Sequence, residues 1–270
     1  MISFPPCKIN LGLSILRKRA DGFHDLDTCF YPVPWTDVVE VIESDQSTLT
    51  ASGIAVPGDS LDNLCMKAYR LLEKEFALPP VKMHVHKNIP MGAGLGGGSA
   101  DGAYMLRMLN EKFSLGLSVA QLQQRAAQLG SDCAFFIQDA PQIGSGRGEV
   151  LSPTSVSLTG NFLVLVKPAV HVSTAEAYAG VKPYERNEDV RSIVERPVVE
   201  WRGHLVNDFE ASVFTKYPLI GEIKKGLYAS GALYASMSGS GSTVFGIFSH
   251  PVDLAKKFEA HIYWAGALTV

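Results

Sequence analysis

The chain has 270 residues, of which 46% are hydrophobic and 19% are charged, and its formal net charge is −3. This composition predicts a globular enzyme of one large domain or two joined parts, and it argues against disorder and against a basic field that would gather nucleic acid. No apolar run approaches the ~20 residues that span a bilayer. Because Pro5, Pro6 and Lys8 interrupt the start before an apolar signal region can form, we expect a cytoplasmic protein.

The first part of the chain is predicted mainly as strands. Residues 8–18 carry apolar side chains with a period of two, which indicates a half-buried strand. Residues 28–33 and 38–42 give further strand patterns, whereas the polar stretch 45–59 predicts loops with a short strand. A helical period follows over 63–76, with Asp62 as a candidate N-cap, and then an alternating strand over 81–86.

Two helices are predicted next, over 99–113 and 118–129. The first places Ala103, Met105, Leu106 and Leu109 inward, and the second begins at the N-cap Ser118 and ends at Gly130. The stretch 144–160 is rich in Gly, Ser, Thr and Pro, so we place the domain boundary there, between 1–150 and 151–270.

The second half mixes strands and helices without a βαβα rhythm, which favours an α+β protein. In chain order we predict a strand over 162–166, a helix over 174–178, a charged surface over 182–196 and a helix over 218–229. Strands over 232–236 and 243–248 follow, around a glycine-rich turn at 237–243. A helix over 252–260 and a strand over 261–264 come last.

The cysteines give no sign of a disulfide or zinc framework. Cys7, Cys29, Cys65 and Cys133 form no C-x-x-C pair, and none has a histidine at metal-ligand spacing. We expect buried, reduced thiols.

The main functional motif is the loop at 90–101, which reads PMGAGLGGGSAD and has five glycines between 92 and 98. Glycine lets phosphate oxygens approach the backbone, and the N-terminus of the following helix attracts anions. The loop is not a P-loop, because Ser99 rather than lysine follows the last glycine, and no βαβ unit supports a dinucleotide fingerprint. The alternative is a glycine-rich turn without a ligand, but five glycines then cost backbone entropy for no packing.

This loop resembles the phosphate-binding motif of the GHMP kinases. CKINLGL at 7–13, DGFH at 21–24, GSDCAFF at 130–136 and MSGSGST at 237–243 resemble the same family in the same order, over nearly the whole chain. The segments at 7–13 and 21–24 resemble the branch that phosphorylates a cytidyl-containing alcohol in the non-mevalonate isoprenoid route. Two departures stand out. The family loop often reads GGGSSDAA, where this chain has Ala100 and Gly102, and Ser131, Cys133 and Ala134 replace residues of a G-A-D-V-P pattern that keeps its aspartate.

The resemblance implies a two-part α+β fold, with an N-terminal half like ribosomal protein S5 and a ferredoxin-like C-terminal half. It also implies ATP-dependent phosphorylation of a small-molecule alcohol. Magnesium is expected with ATP, held by phosphate oxygens and water rather than by a protein cage. We expect neither nucleic acid nor a membrane as a partner. We expect the protein to be a monomer or a weak homodimer.

Asp132 is the candidate catalytic base, and the resemblance pairs it with Lys8. A lysine near an aspartate keeps the carboxylate ionised and offsets charge on the transferring group. The alternatives are a helix N-cap for Asp132 and a solvated strand lysine for Lys8.

The remaining candidates bind the two substrates. The nucleotide would contact Pro90, Met91, Gly92, Ala93, Gly94, Leu95, Gly96, Gly97, Gly98 and Ser99, with Asn63 and Lys67 near the adenosine. The acceptor would contact Asn10, Phe23, His24, Tyr178, Gly239, Ser240 and Gly241. In this hypothesis His24 contacts the polar edge of a cytosine that stacks between two aromatic rings, although packing roles for the aromatics and a plain hairpin for the glycines are the simpler alternatives.

Three other functions remain open at this point. The chain could be another GHMP kinase, of homoserine or mevalonate type, or a pseudokinase that binds nucleotide without turnover. An RNA-binding protein is a remote third, because no basic aromatic stripe is present.

Overall fold

The computed structural model describes residues 1–55, 60–184, 186 and 188–269. Its strands are β1 (Ile2–Ser3), β2 (Pro6–Lys18), β3 (His24–Thr36), β4 (Val38–Glu43), β5 (Thr48–Gly53), β6 (Val81–Lys87), β7 (Gln142–Ser145), β8 (Val150–Pro153), β9 (Phe162–Lys167), β10 (Tyr234–Met237), β11 (Val244–Phe248) and β12 (Ile262–Ala267). Its α-helices are α1 (Leu64–Phe76), α2 (Gly97–Lys112), α3 (Val119–Leu129), α4 (Thr174–Ala179), α5 (Val190–Val194), α6 (Glu210–Lys216) and α7 (Pro218–Ala229). Short 3-10 helices lie at Ser60–Asp62, Phe135–Ile137 and Val198–Glu200.

The chain forms two compact units, each built from separate segments. The first contains Met1–Cys7, Trp35–Met91 and Gly96–Ala140. The second contains Lys8–Pro34, Gly92–Leu95 and the described residues from 141 onward. The chain therefore passes between the units several times, and the predicted boundary at residue 150 stays a prediction.

The first unit packs helices on a mixed sheet with strand order β1-β4-β6-β5. β4 pairs antiparallel with β1 and β6, whereas β5 runs parallel to β6. Helices α1 and α2 pack against each other, and the inward faces of α2 and β6 are fully buried. The elements before and after the segment that leads from β6 into α2 are therefore both anchored in the core of this unit.

The second unit holds two sheets, with orders β2-β3-β7-β8 and β10-β11-β9-β12. The latter is antiparallel throughout. One hydrophobic cluster joins Leu13 and Ile15 of β2 to residues of β9 and β11 and of helices α6 and α7. Because β2 contributes its apolar face to this cluster, its other face is left for polar residues.

Most of the predicted elements are confirmed, including the α+β class, the capped helix 118–129 and the strands on either side of 237–243. All four cysteines are buried thiols, as predicted. Among the residues that the structure describes, no helix is long and apolar enough to cross a membrane.

Four predictions are wrong in part. β2 is buried on both faces rather than half-buried. The N-cap of α1 is Asn63, whose side chain accepts from the backbone N–H of Cys65, and not Asp62. The predicted helix over 252–260 is not formed, and residues 255–260 form turns, with the Phe258 N–H donating to the Leu254 carbonyl oxygen at 3.1 Å. The charged stretch 182–196 contains α5, which buries three apolar side chains; residues 185 and 187 of that stretch, like 56–59 of the predicted loop region, lie outside the described residues.

Candidate active site

Lys8 lies on β2 with its side chain buried, so the alternative of a solvated strand lysine is wrong. Only 3% of the residue is exposed. Its ammonium donates to Asn10 Oδ1 at 2.5 Å and to the Gly94 carbonyl oxygen at 3.2 Å, and it lies 5.3 Å from the centre of the Phe30 ring. A buried ammonium is stable only with such partners, and here they fix its position.

Asn10 extends this arrangement along the polar face of β2. Its amide donates to the Thr28 hydroxyl at 3.0 Å, which fixes which end of the side chain faces Lys8. Its backbone N–H donates to Ser238 Oγ at 3.2 Å. Asn10, predicted to contact the acceptor, therefore also orients the candidate catalytic lysine.

The glycine-rich turn at 237–243 packs directly on residues 92–95. Ser238 donates to the Gly94 carbonyl oxygen at 2.8 Å, the same oxygen that Lys8 contacts, and the Thr243 N–H donates to the Ala93 carbonyl oxygen at 3.2 Å. Gly94 has φ +78°, and a Cβ there would overlap the carbonyl of Ser238. The simpler interpretation of this turn as an ordinary hairpin is therefore incomplete, because it also supports the loop.

Asn207 supports the backbone of this turn, and no sequence pattern indicated it. The residue is 3% exposed, and its amide donates at 2.8 Å to the carbonyl oxygens of Met237 and Gly239. A buried asparagine with two backbone acceptors fixes the turn's shape. The only local signal is an Asn-Asp pair in the turn before α6, which by itself is typical of any loop.

The second part of the loop forms the N-terminus of α2, in the first unit. Gly96, with φ +70°, is the N-cap of this helix. Because glycine has no side chain, the N-cap residue provides no hydrogen-bond acceptor for the first N–H groups of the helix. The helix begins at Gly97, two residues earlier than predicted. A Cβ on Gly98 would meet nothing within 4 Å, so the space before this residue is open. Such a terminus is suited to a phosphate group.

Asp132 lies in a turn between α3 and the 3-10 helix Phe135–Ile137. The N-cap of that short helix is Ala134, so the alternative role of Asp132 as an N-cap is wrong. The neighbouring thiol of Cys133 is buried, and this burial outweighs the opposing effect of the Ser99 side chain and raises the pKa of the thiol to about 12. The Ser99 side chain therefore lies beside the residue that follows Asp132.

The predicted adenosine contacts have other partners here. Asn63 caps α1 through its side chain. Lys67, which is about half exposed, pairs with Asp62 at 3.3 Å. Their contact with a nucleotide stays a prediction.

Of the aromatic candidates, the structure brings His24 and Tyr178 together but pairs Phe23 with an arginine. The rings of His24 and Tyr178 stack with centres 4.9 Å apart and planes 25° apart. Phe23 is 52% exposed, and the guanidinium of Arg147 lies 4.8 Å from its ring centre. Burial, together with the nearby Lys18, lowers the pKa of His24, so the imidazole is neutral at pH 7.

Ion pairs link the carboxylates on either side of the DGFH turn to two arginines. Arg19 bonds both oxygens of Asp21, and Arg17 and Arg19 both bond Asp25. Hydrogen bonds from these arginines hold the pKa values of both carboxyls below their usual range. Phe23 and His24 therefore lie between two aspartates, Asp21 and Asp25, that are paired with arginine.

The departures at positions 100 and 102 have a packing explanation. Ala100 is fully buried. A Cβ on Gly102 would lie 2.8 Å from Cβ of Leu64, so glycine here lets α1 approach α2 closely. Both small residues therefore serve the contact between helices.

A buried charge network joins the end of β6 to α2, and no sequence pattern indicated it. Lys87, the last residue of β6, donates to Asp37 and, at 2.6 Å, to Asp101 of α2. Burial is the largest effect on the pKa of Asp101 and raises it, Lys87 lowers it, and the like charge of Asp37 raises it again. The net result is a pKa of about 7. Burial alone would lower the pKa of Lys87, but the two carboxylates outweigh it and raise that pKa.

Two family models match this chain. The one described as "GHMP kinases N terminal domain" matches residues 63–140, and the one described as "GHMP kinases C terminal" matches residues 193–262. Together they cover more than half of the chain, including the loop, the Asp132 turn and the turn at 237–243.

Curated relatives match almost end to end. A Bacteroides fragilis protein named 4-diphosphocytidyl-2-C-methyl-D-erythritol kinase is 52% identical over 265 residues, which are 96% of this chain and 97% of that protein. A Cytophaga hutchinsonii protein of the same name is 50% identical over 250 residues, 92% of this chain and 93% of that protein.

Solved structures agree with these relatives. The crystal structure of a 4-(cytidine 5'-diphospho)-2C-methyl-D-erythritol kinase superposes with a TM-score of 0.84 at 31% identity and covers 100% of both chains. A homoserine kinase from Cytophaga hutchinsonii gives a TM-score of 0.68 at 16% identity, over 98% of this chain and 94% of that one, which shows a shared fold alone. The predicted fold is thereby confirmed.

Proposed function

The chain belongs to the GHMP kinase family, and from that premise we propose that it phosphorylates 4-diphosphocytidyl-2-C-methyl-D-erythritol with ATP, at the 2-hydroxyl group. The observation that carries the choice of acceptor is the identity of 52% over 96% of the chain with a relative of that name. The likeness to homoserine kinase, at 16% identity, concerns the fold and does not favour that acceptor. We place this activity in the cytoplasm and in the supply of isoprenoid precursors.

In this proposal the backbone from Pro90 to Ser99 holds the phosphates of ATP. The N-terminus of α2 supports the assignment, because Gly96 provides no competing side-chain cap and the space before Gly98 is open. The positive end of the helix dipole then lies against the phosphate charge. The described residues contain no group of three His, Cys, Asp or Glu side chains that could hold a metal ion. In this proposal magnesium enters with ATP, held by phosphate oxygens and water.

We assign proton acceptance to Asp132 and charge compensation to Lys8. The carboxylate of Asp132 takes the proton of the attacking hydroxyl as the new P–O bond forms and the bond to the ADP oxygen breaks. The ammonium of Lys8 offsets negative charge on the transferring group, and its contacts with Asn10 and Gly94 hold it ready without reorganisation.

The acceptor would be recognised through its cytosine. A neutral imidazole on His24 carries one donor and one acceptor, which matches the polar edge of a neutral base. His24 already stacks on Tyr178. A cytosine can therefore stack between Tyr178 and Phe23 only if the His24 and Tyr178 rings first separate. Gly239, Ser240 and Gly241 would close around the alcohol end of the molecule.

A panel of acceptors tests the proposal. Release of ADP is followed with the cytidyl alcohol, homoserine and mevalonate, and the product is located by phosphorus NMR. We expect turnover with the cytidyl alcohol and a new phosphomonoester on the 2-hydroxyl. Turnover with homoserine or mevalonate instead would assign the chain to another GHMP activity, and ATP binding without any turnover would make it a pseudokinase.

A further inference from the structure

The network of Asp37, Lys87 and Asp101 is buried to an unusual degree for three charged groups. The exposed fractions of their side chains are 0%, 1% and 5%, respectively. Lys87 donates to one oxygen of each carboxylate. Oδ1 of Asp101 is buried and has no hydrogen-bond partner within the described part of the chain. Two carboxyl groups therefore share one cation out of contact with water.

Stability alone does not explain such an arrangement. The cost of removing charges from water often equals or exceeds what their attraction returns, and well-packed apolar groups of similar volume serve equally well. An unpartnered carboxylate oxygen adds a further cost. A role other than holding the fold together is therefore expected.

The geometry connects this network to the phosphate loop at both ends. Oδ1 of Asp37 accepts from the backbone N–H groups of Asn88 and Ile89, at 2.6 and 2.8 Å, where the chain leaves β6. Asp101 lies in α2, where the chain leaves the loop, and Lys87 joins the two carboxylates. Both ends of the segment 88–100 are thus held by one cluster of side chains.

The network also lies directly under the first residue of α2. A Cβ on Gly97 would come within 2.9 Å of Cγ2 of Ile89 and within 3.4 Å of Oδ2 of Asp37. A shift of Lys87 or Asp37 would therefore move the first turn of the helix, which carries the free N–H groups.

We propose that Asp37, Lys87 and Asp101 are positioning residues that set the direction of the first turn of α2 and so determine the affinity for the triphosphate of ATP. The inference rests on the proposed function insofar as ATP is the ligand of this loop. These residues do not themselves touch the phosphates. They act through the backbone of residues 88–89 and 96–98.

The test compares variants by their dissociation constant for a nonhydrolysable ATP analogue, measured by calorimetry, and by their Tm. For Lys87→Met we expect an affinity about tenfold weaker, a lower Tm and, in steady state, a raised KM for ATP with the KM for the alcohol unchanged. The matched control is Met83→Ala, which removes a fully buried side chain from the same strand. It should lower the Tm comparably and leave the affinity for the analogue within twofold of the wild-type value.

A variant without charges separates positioning from stability. Asp37→Asn, Lys87→Met and Asp101→Asn combined remove the three charges of this network, so the Tm should recover toward the wild-type value while the affinity stays about tenfold weaker. If affinity recovers with the Tm, or if Met83→Ala weakens binding as much as Lys87→Met does, the network is only structural and the inference is wrong.

The outcome is distinguishable from failure of the proposed function. Turnover of the wild-type protein with the cytidyl alcohol tests the function, whereas the ratio of variant to wild-type affinity for the analogue tests the network. If the wild-type protein binds the analogue but phosphorylates no alcohol, the proposed kinase activity is refuted. The ratio of variant to wild-type affinity for the analogue can still be measured, and it still tests the role of the network.

Discussion

Gly94→Ala tests whether the contact between the loop and the turn at 237–243 controls the chemistry. Gly94 has φ +78°, a conformation that costs a residue with a Cβ about 1–2 kcal/mol. The added Cβ would also lie 2.9 Å from the carbonyl carbon of Ser238 and overlap its oxygen, and real Cβ atoms essentially never approach closer than 3.0 Å. Either the loop or the turn must move.

The expected loss follows from where this movement occurs. The Gly94 carbonyl oxygen accepts from both Lys8 and Ser238, so a displacement there moves the ammonium of Lys8. Relief of the overlap takes a shift on the order of 1 Å, and a misplacement of that size costs about 100-fold in rate. We expect kcat/KM to fall about 100-fold, with a stability loss of about 1–2 kcal/mol from the backbone.

The assay is steady-state release of ADP, together with urea unfolding. Gly160→Ala is the matched control, because Gly160 has φ +86° but an added Cβ would meet nothing within 4 Å. It should lose about 1–2 kcal/mol of stability and keep kcat/KM within twofold. If the two variants retain equal activity, the contact between Gly94 and Ser238 does not position Lys8, and the reasoning fails.

Three further outcomes are expected. Asp132→Ala should reduce kcat by about 10²–10⁴-fold while the affinity for the ATP analogue, measured by calorimetry, stays unchanged; near-normal turnover would exclude Asp132 as the base. Asn207→Ala removes the amide hydrogen bonds to two buried carbonyl oxygens and should lower the free energy of unfolding by about 1–3 kcal/mol, with a raised KM, whereas an unchanged urea midpoint would contradict this role. For Asp101 the folded-state pKa is raised to about 7, so the folded protein binds the extra proton and stability falls as pH rises from about 4 to about 7. Asp101→Asn should flatten that slope in urea unfolding; parallel curves for both proteins would show that Asp101 ionises normally.

Much of the local structure was predictable because it depends on residues close in sequence. The capping box of α3 pairs Ser118 with Gln121, three residues apart, and the helix ends at Gly130 as predicted. The glycines at 92, 94 and 96 do adopt positive φ, the conformation that a close backbone approach requires. In the same way the resemblance to the family could be found from short motifs in order.

The tertiary structure decided which of these residues are held together. The period of two in β2 cannot tell that its polar face is buried too, because the Asn10 N–H meets its partner Ser238 at a separation of 228 residues. Neither the network around Lys87 nor the support from Asn207 has a local pattern, since each depends on partners from other elements. Sequence thus determined backbone conformation and residue chemistry, whereas the burial and orientation of the charged groups follow from packing, because only distant segments brought together exclude water from them.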